Sequence, residues 1–260
     1  MSNQAAIKLH RRVVRLDDET WTVLSLRPGD PGVFATNRFH ETWHLLGGPV
    51  EAELLARLLW ALAFQRHDRT LVLVDQPFLV PNPFDGDPSS PILLVNSNLG
   101  TPRRRALDEL HSLLPLAGPS LGTVKLRTVG LDRASEDPAA YEERPEQRAA
   151  RFNPHQWREW MDRVHGIIVY AAPDAVLRQQ AVMIAALPTY MPRATAETWL
   201  ADTHGRDGRD VQGEVQIFRE PLIERSLRVS ELREQLYPGR GHVELSDDER
   251  EELWRRSAEM

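Results

Sequence analysis

The chain contains no cysteine, and this absence excludes several kinds of chemistry at once. Without thiols there are no disulfide bonds, thiolate nucleophiles, zinc–thiolate sites or iron–sulfur clusters. Lysine is almost absent as well, since Lys8 and Lys125 are the only two among 32 basic residues. The chain therefore offers at most two candidates for a Schiff-base lysine, and it has no Gly-x-x-x-x-Gly-Lys-Ser/Thr phosphate loop.

Long apolar runs are missing too, and the charge balance is acidic. No apolar stretch is long enough to cross a bilayer, and the polar residues 1–6 lack the apolar core of a signal peptide. The 260 residues are 41% hydrophobic and 27% charged, which is ordinary for a globular protein with a real core. A net charge of −6 argues against general attraction to nucleic acid or to an anionic membrane. We therefore expect a cytoplasmic protein without a membrane or nucleic-acid partner.

Three short runs rich in β-branched residues organise the rest of the chain. They occupy residues 71–74, 92–95 and 167–170, and none of them alternates apolar with polar side chains. Continuous apolar runs of this length are typical of strands buried on both faces. With a further strand near 123–129, they predict an α/β fold: a three-layer, mainly parallel sheet with helices on both faces. Residues 7–26 are expected to form a β-hairpin at one edge of it.

Helical patterns separate the predicted strands. We expect an α/β core domain over residues 1–191, and a C-terminal extension over 192–260 that docks on it with a strand and short helices. The motif Ser246-Asp247-Asp248-Glu249 predicts a capping box at the start of the last helix. The remaining helices are expected over Asn37–Leu46, Val50–Phe64, Thr101–Leu114, Asn153–Val164, Pro173–Leu187 and Val229–Leu236.

The segment His40-Glu41-Thr42-Trp43-His44 matches the pattern His-Glu-x-x-His. On a helix, histidines at positions i and i+4 share one face and can bind one zinc ion, while the glutamate accepts a proton from the metal-bound water. Over about ten residues the segment resembles the active-site helix of the zincin peptidases. The resemblance implies zinc bound by His40 and His44, with Glu41 as the catalytic base.

The same segment departs from the zincin pattern at several positions. Arg38 lies where an apolar flank is usual, and Val50 stands where metzincins place a third metal ligand. Glu51 or Glu53 is a conceivable third ligand only if the chain turns sharply before it. The alternative interpretation is an ordinary amphipathic turn that packs Phe39, Trp43 and Leu46 inward.

Polar side chains follow the first two buried strands, at the points where these strands end. Asp75 follows the first strand, and Asn96 and Asn98 follow the second. In open α/β sheets, ligands bind beyond the carboxyl ends of the strands. Thr101 is predicted to cap the next helix, whose free N–H groups attract anions. The sequence therefore predicts an anion-binding cleft at this edge of the sheet.

Arginines occupy the first turn of that helix, where positive charge opposes the helix dipole. Arg103 and Arg104 are both placed there at a cost of a few tenths of a kcal/mol or more each. Such a cost indicates an anionic partner, either a phosphate, a carboxylate or an acidic loop of the same protein. The alternative is that these side chains simply face water.

Three classes of function remain open. The first is a non-catalytic binding or interaction module whose strand-end cleft takes an anionic or phosphorylated ligand or an acidic protein segment. The second is a hydrolase or transferase on such a substrate, with Asp75 as acid/base and Arg103 and Arg104 as charge stabilisers. The third is a zinc hydrolase that uses the His-Glu-x-x-His segment. A homo-oligomer or another protein partner is compatible with each class.

Overall fold

The computed structural model describes residues 6–116, 120–140, 159–190, 195–201, 213–219, 222–240, 243 and 245–258. This part of the chain is a mixed α/β fold with six helices and two sheets. The strands are β1 (Ala6–Leu16), β2 (Glu19–Ser25), β3 (Ala35–Phe39), β4 (Thr42–Gly47), β5 (Thr70–Val74), β6 (Ile92–Asn96), β7 (Thr123–Arg127), β8 (Trp160–Val164), β9 (Ile167–Ala172), β10 (Thr195–Ala201) and β11 (Gly213–Phe218). The helices are α1 (Pro49–Ala63), α2 (Arg104–Ser112), α3 (Leu131–Ser135), α4 (Asp174–Ala186), α5 (Leu222–Leu236) and α6 (Asp247–Ala258).

The large sheet has seven strands in the order β7-β1-β2-β5-β6-β9-β8. Every residue of β5, β6 and β9 is buried, as the three apolar runs predict. The predicted N-terminal hairpin is also confirmed, with β1 paired antiparallel to β2. It lies one strand in from the edge, because β7 pairs with the outer side of β1.

The strand directions differ from the expectation of a mainly parallel sheet. Only β2–β5 and β6–β9 are parallel, whereas β7–β1, β1–β2, β5–β6 and β8–β9 are antiparallel. A parallel connection usually needs a crossover helix, and the proline-rich residues 75–91 between β5 and β6 form none. The chain therefore reverses its direction between β5 and β6, so that the carboxyl end of β5 lies beside the amino end of β6.

Helices cover both faces of the large sheet. α1, α3 and α4 pack on one face in a single apolar cluster, and α2 packs on the other. The predicted helices at α1 and α4 are confirmed. α2 begins later than predicted, with Arg103 as its N-cap, so Thr101 lies outside the helix and does not cap it.

The small sheet has the order β10-β11-β4-β3 and lies against the opposite side of α1. Its hairpin β3–β4 replaces the helix predicted over 37–46, which is wrong. The turn consists of His40 and Glu41, with φ angles of 48° and 66°. Positive φ at both central residues is the requirement of a type I′ hairpin turn. β4 ends at Gly47, and Gly48 is the N-cap of α1.

The last part of the chain contributes to both the small sheet and a helical pair. The sequence predicts one strand in residues 192–260, and the structure has two, β10 and β11, of which β11 pairs in parallel with β4. α5 and α6 pack on each other through a small apolar cluster, and the Ser246 capping box is confirmed at the start of α6. The helix predicted over Asn153–Val164 is wrong at its end, where Trp160–Val164 form strand β8, while residues 153–158 lie outside the described residues. Among the described helices, none has the length and apolar composition that crossing a bilayer requires.

Candidate functional site

The strand-end residues predicted to share a cleft are separated by the antiparallel pairing of β5 and β6. Val74 pairs with Ile92, so Asp75 lies beside the beginning of β6, whereas Asn96 lies at its far end. Burial raises the pKa of the Asp75 carboxyl, an effect that the backbone amide of Gln76 opposes. Asp75 and Asn96 therefore do not belong to one site.

Asn96 and Asn98 lie where two parallel strands, β6 and β9, end side by side. The buried Asn96 side chain donates to the Leu62 carbonyl (3.3 Å) and accepts the Asn98 amide N–H (3.0 Å). The Asn98 amide group donates to the Asp174 carboxylate (2.7 Å). These hydrogen bonds hold the loop in place and engage both side chains within the protein.

The arginines at the start of α2 face an acidic turn of the same protein. Arg103 Nη1 lies 3.7 Å and Arg105 Nε 3.6 Å from the carboxylate of Asp17, in the β1–β2 turn. This is one of the partners that the sequence predicts for these arginines. Arg104 and Thr101 are exposed to solvent. Because the arginine side chains are largely exposed, solvent screens both pairs and their contribution to stability is small.

A cavity of about 1130 Å³ lies elsewhere, between the small sheet, the loop around Asp85 and the helices α5 and α6. Both histidines of the His-Glu-x-x-His segment line it, His40 from the hairpin turn and His44 from β4. Glu41, at the other turn position, is exposed and is not part of the lining. The hairpin therefore brings the two histidines to one cavity without the helical spacing that the zincin resemblance implies.

The cavity floor is the polar face of the small sheet. Strand register places Asn37, His44 and Glu214 in one row across β3, β4 and β11. Gln216 and Glu197 lie on the same face, where β11 pairs with β10. The opposite face of β4 and β11 is apolar and packs on α1. This alternation is the period-two pattern of a strand with one dry and one polar face.

The centre of this floor is a buried histidine–glutamate pair. Only 5% of His44 and 4% of Glu214 is exposed, and His44 Nδ1 lies 3.4 Å from Glu214 Oε2. Burial lowers the pKa of His44, and burial together with the charge of Glu197 raises the pKa of Glu214 to about 7. His44 Nε2 is buried and makes no hydrogen bond of good geometry within the described residues, although the Phe39 backbone and the Gln216 side chain interact with the imidazole and partly offset the lowering of its pKa. A buried polar atom of this kind is costly unless a ligand or a water satisfies it.

Arginines from α5 line the opposite wall. Arg225 and Arg228 are three residues apart and so lie on the same face of the helix. Arg225 donates to the Pro83 carbonyl and lies 5.3 Å from the centroid of the Phe84 ring, while Arg228 donates to a carbonyl of its own helix. In the described part of the chain neither has a carboxylate within ion-pair distance.

A buried arginine of α5, in contrast to the exposed Arg225 and Arg228, fixes this wall in place. Arg233 of α5 donates to the carbonyls of Asp85 (2.9 Å) and Val243 (2.6 Å) and to the carboxylate of Asp87. Burial, reinforced by the nearby Asp87 charge, raises the pKa of Asp85 to about 6. The network holds α5 to the loop that forms one side of the cavity.

Charges of both signs line the rest of the cavity. Arg250, Asp247 and Glu251 come from α6, and Asp247 lies in its first turn, where negative charge suits the helix dipole. The Arg38 guanidinium lies over the Trp43 ring at 5.6 Å from its centroid.

The described residues contain no group of three or more histidine, aspartate or glutamate side chains placed to hold a metal ion. The sequence placed His40 and His44 in a site but not the arginine wall opposite them. The spacing of Arg225 and Arg228 was an available clue, although nothing in the sequence shows that α5 packs over β4. Comparisons with protein-family models, with curated proteins and with solved structures found no match to this chain.

Proposed function

We propose that the protein binds an anionic small molecule in the cavity between the small sheet and the helices α5 and α6. The observation that carries this proposal is the pair Arg225 and Arg228, two guanidinium groups on one cavity wall without a carboxylate partner among the described residues. Arginine matches the planar, bidentate geometry of phosphates and carboxylates. The proposal keeps the anionic ligand class predicted from the sequence but moves it away from the strand ends.

The cavity floor supports the same proposal. A volume of about 1130 Å³ lies just above the range of about 300–1,000 Å³ that is usual for small-molecule sites. The unpaired His44 Nε2 supplies the convergent polar group that such sites use to orient a ligand. At the strand ends, by contrast, Asn98 and Arg103 already have protein partners.

The test is calorimetric titration with inorganic tripolyphosphate at low ionic strength. The double variant Arg225→Gln/Arg228→Gln is expected to weaken binding at least about tenfold, because charge-assisted hydrogen bonds are lost. The matched control is Arg103→Gln/Arg104→Gln, at the site predicted from the sequence, which should bind like the wild type. Loss of binding in the control alone would place the anion at the strand ends, and no binding to the wild type would contradict the proposal.

A second candidate, catalysis in the same cavity, is favoured by the His44–Glu214 pair. A carboxyl oxygen 3.4 Å from the imidazole Nδ1 and an Nε2 without a hydrogen bond of good geometry resemble the arrangement around a general base. In this alternative the protein hydrolyses or transfers a phosphorylated or anionic group, and His44 takes the acid/base role that the sequence prediction gave to Asp75. Phosphate release from organic phosphates, lost in His44→Asn but not in Asp75→Asn, would support it.

The zinc-hydrolase alternative is retained only through the shared position of His40 and His44 at one cavity. It needs a third ligand, which the described residues do not place beside the two histidines. Elemental analysis of the purified protein tests it. Stoichiometric zinc that is lost in His40→Ala would support this alternative, and equal substoichiometric zinc in both proteins would exclude it.

A further inference from the structure

The rim of the cavity carries two aromatic side chains that are only about half buried. Trp254 of α6 is 43% exposed and Phe39 of β3 is 49% exposed, and both line the cavity. The neighbouring Leu253, which is fully buried, anchors α6 to the small apolar cluster that it shares with α5. Leu253, and not Trp254, therefore packs α6 against α5. The exposed part of the Trp254 indole contributes no apolar burial to the stability of the fold. Its place at the rim favours a contact with a ligand.

Phe39 forms part of a larger aromatic surface. Its ring lies against the His40 imidazole, with centroids 3.9 Å apart and planes tilted by 54°. Across the cavity from the small sheet, the α5 wall presents Arg225 and Arg228. One cavity therefore combines flat apolar rings at its rim with a pair of guanidinium groups. A ligand that uses both features has a planar ring and an anionic group.

We propose that the ligand of this cavity is a free nucleotide, whose base stacks on the aromatic rim while its phosphates contact Arg225 and Arg228. The inference rests on the proposed function, because it assigns the same two arginines to the anion. Every base has a π face, and base–aromatic stacking contributes substantially to affinity. The edge of a base also carries hydrogen-bonding groups that the unpaired His44 Nε2 can meet. The cavity volume suits one small molecule better than a nucleic acid strand.

The test compares the four ribonucleoside triphosphates with inorganic tripolyphosphate in the same calorimetric titration. Stacking predicts that at least one nucleotide binds about tenfold more tightly than tripolyphosphate. Trp254→Ala should abolish this preference and leave tripolyphosphate binding unchanged. Phe39→Ala, on a different element, should reduce the preference as well, so that a folding failure of one variant does not decide the result.

The matched control is Phe64→Ala. Phe64, at the end of α1, is 53% exposed, comparable to Trp254, and does not line the cavity, so its removal should leave the preference intact. If no nucleotide exceeds tripolyphosphate, or if Trp254→Ala retains the preference, the inference is overturned. Tripolyphosphate binding that still depends on Arg225 and Arg228 would then leave the proposed function standing, whereas no binding of either ligand would contradict both. Tighter binding of a 5′-phosphorylated oligonucleotide than of any mononucleotide would overturn the assignment to a free nucleotide.

Discussion

The two sheets of this protein differ in the side chains that they bury. β5, β6 and β9 of the large sheet are buried on both faces and contain almost only aliphatic side chains. β4 and β11 of the small sheet have one apolar face on α1 and one polar face that holds His44, Glu214 and Gln216. Apolar burial dominates folding stability, whereas buried polar groups need specific partners. The large sheet therefore contributes mainly apolar burial to stability, whereas the small sheet holds buried polar groups that need specific partners.

The largest expected effect is a cavity in the large sheet. Leu94 on β6 is fully buried, so Leu94→Ala should lower the free energy of unfolding by about 2–5 kcal/mol through lost burial and the void left behind. Phe39→Ala on β3 of the small sheet removes a larger side chain that is half exposed, and it should cost less than about 1 kcal/mol. Urea denaturation of both variants measures the difference.

The order of the two effects is the informative result. If Phe39→Ala proved as destabilising as Leu94→Ala, the small sheet would be as important for stability as the large one, and Phe39 could not be assigned mainly to a ligand. Tripolyphosphate binding that survives Leu94→Ala would confirm that the two regions act separately.

The same contrast explains which parts of the fold the sequence predicted. Strands β5, β6 and β9 were found because a continuous apolar run reports burial on both faces directly. Their directions were not found, because the direction of β6 depends on the path of residues 75–91 and not on the composition of the strand. The prediction of a cleft that contains both Asp75 and Asn96 was wrong because β6 runs antiparallel to β5.

The small sheet was harder to predict, because its strands are distant in the sequence. β4 pairs with β11 about 170 residues later, and nothing within either strand predicts this partner. His40 and Glu41 are uncommon at positive φ, so the turn carries none of the usual Asn-Gly or Gly-Gly signature. The His-Glu-x-x-His spacing then favoured a helix, yet both histidines do line a cavity, for a reason that the helix did not supply.

A smaller effect is expected from the pH dependence of stability. The pKa of Asp85 is raised to about 6 and that of Glu214 to about 7, chiefly by burial. Between pH 4 and these values the folded protein binds more protons than the unfolded chain, so the free energy of unfolding falls as the pH rises through this range. The lowered pKa of His44 acts in the opposite direction below pH 6.5 and offsets part of the Glu214 effect.

Asp85→Asn isolates one of these contributions. The variant keeps the side-chain oxygen that accepts the Asp87 N–H but cannot ionise. It should match the wild type near pH 4 and exceed it by about 1–3 kcal/mol at pH 7, as urea denaturation across this range would show. Parallel pH profiles for the two proteins would mean that the Asp85 carboxyl is not buried in solution.

The smallest expected effect tests the hairpin turn of the small sheet. Glu41 has a φ angle of 66°, which glycine adopts without strain. Glu41→Gly should therefore raise the free energy of unfolding by a few tenths of a kcal/mol, or at least not lower it, because relief of strain offsets the added freedom of the unfolded chain. In a helix the same substitution would cost about 1 kcal/mol. The matched change in the large sheet is Asp18→Gly, at the equivalent position of the β1–β2 turn with a φ angle of 62°. Thermal denaturation measures both variants. A change in the free energy of unfolding of the same sign for both supports the hairpin. Destabilisation by Glu41→Gly alone would instead favour a helix at residues 40–44, in which His40 and His44 have the spacing of a zinc site.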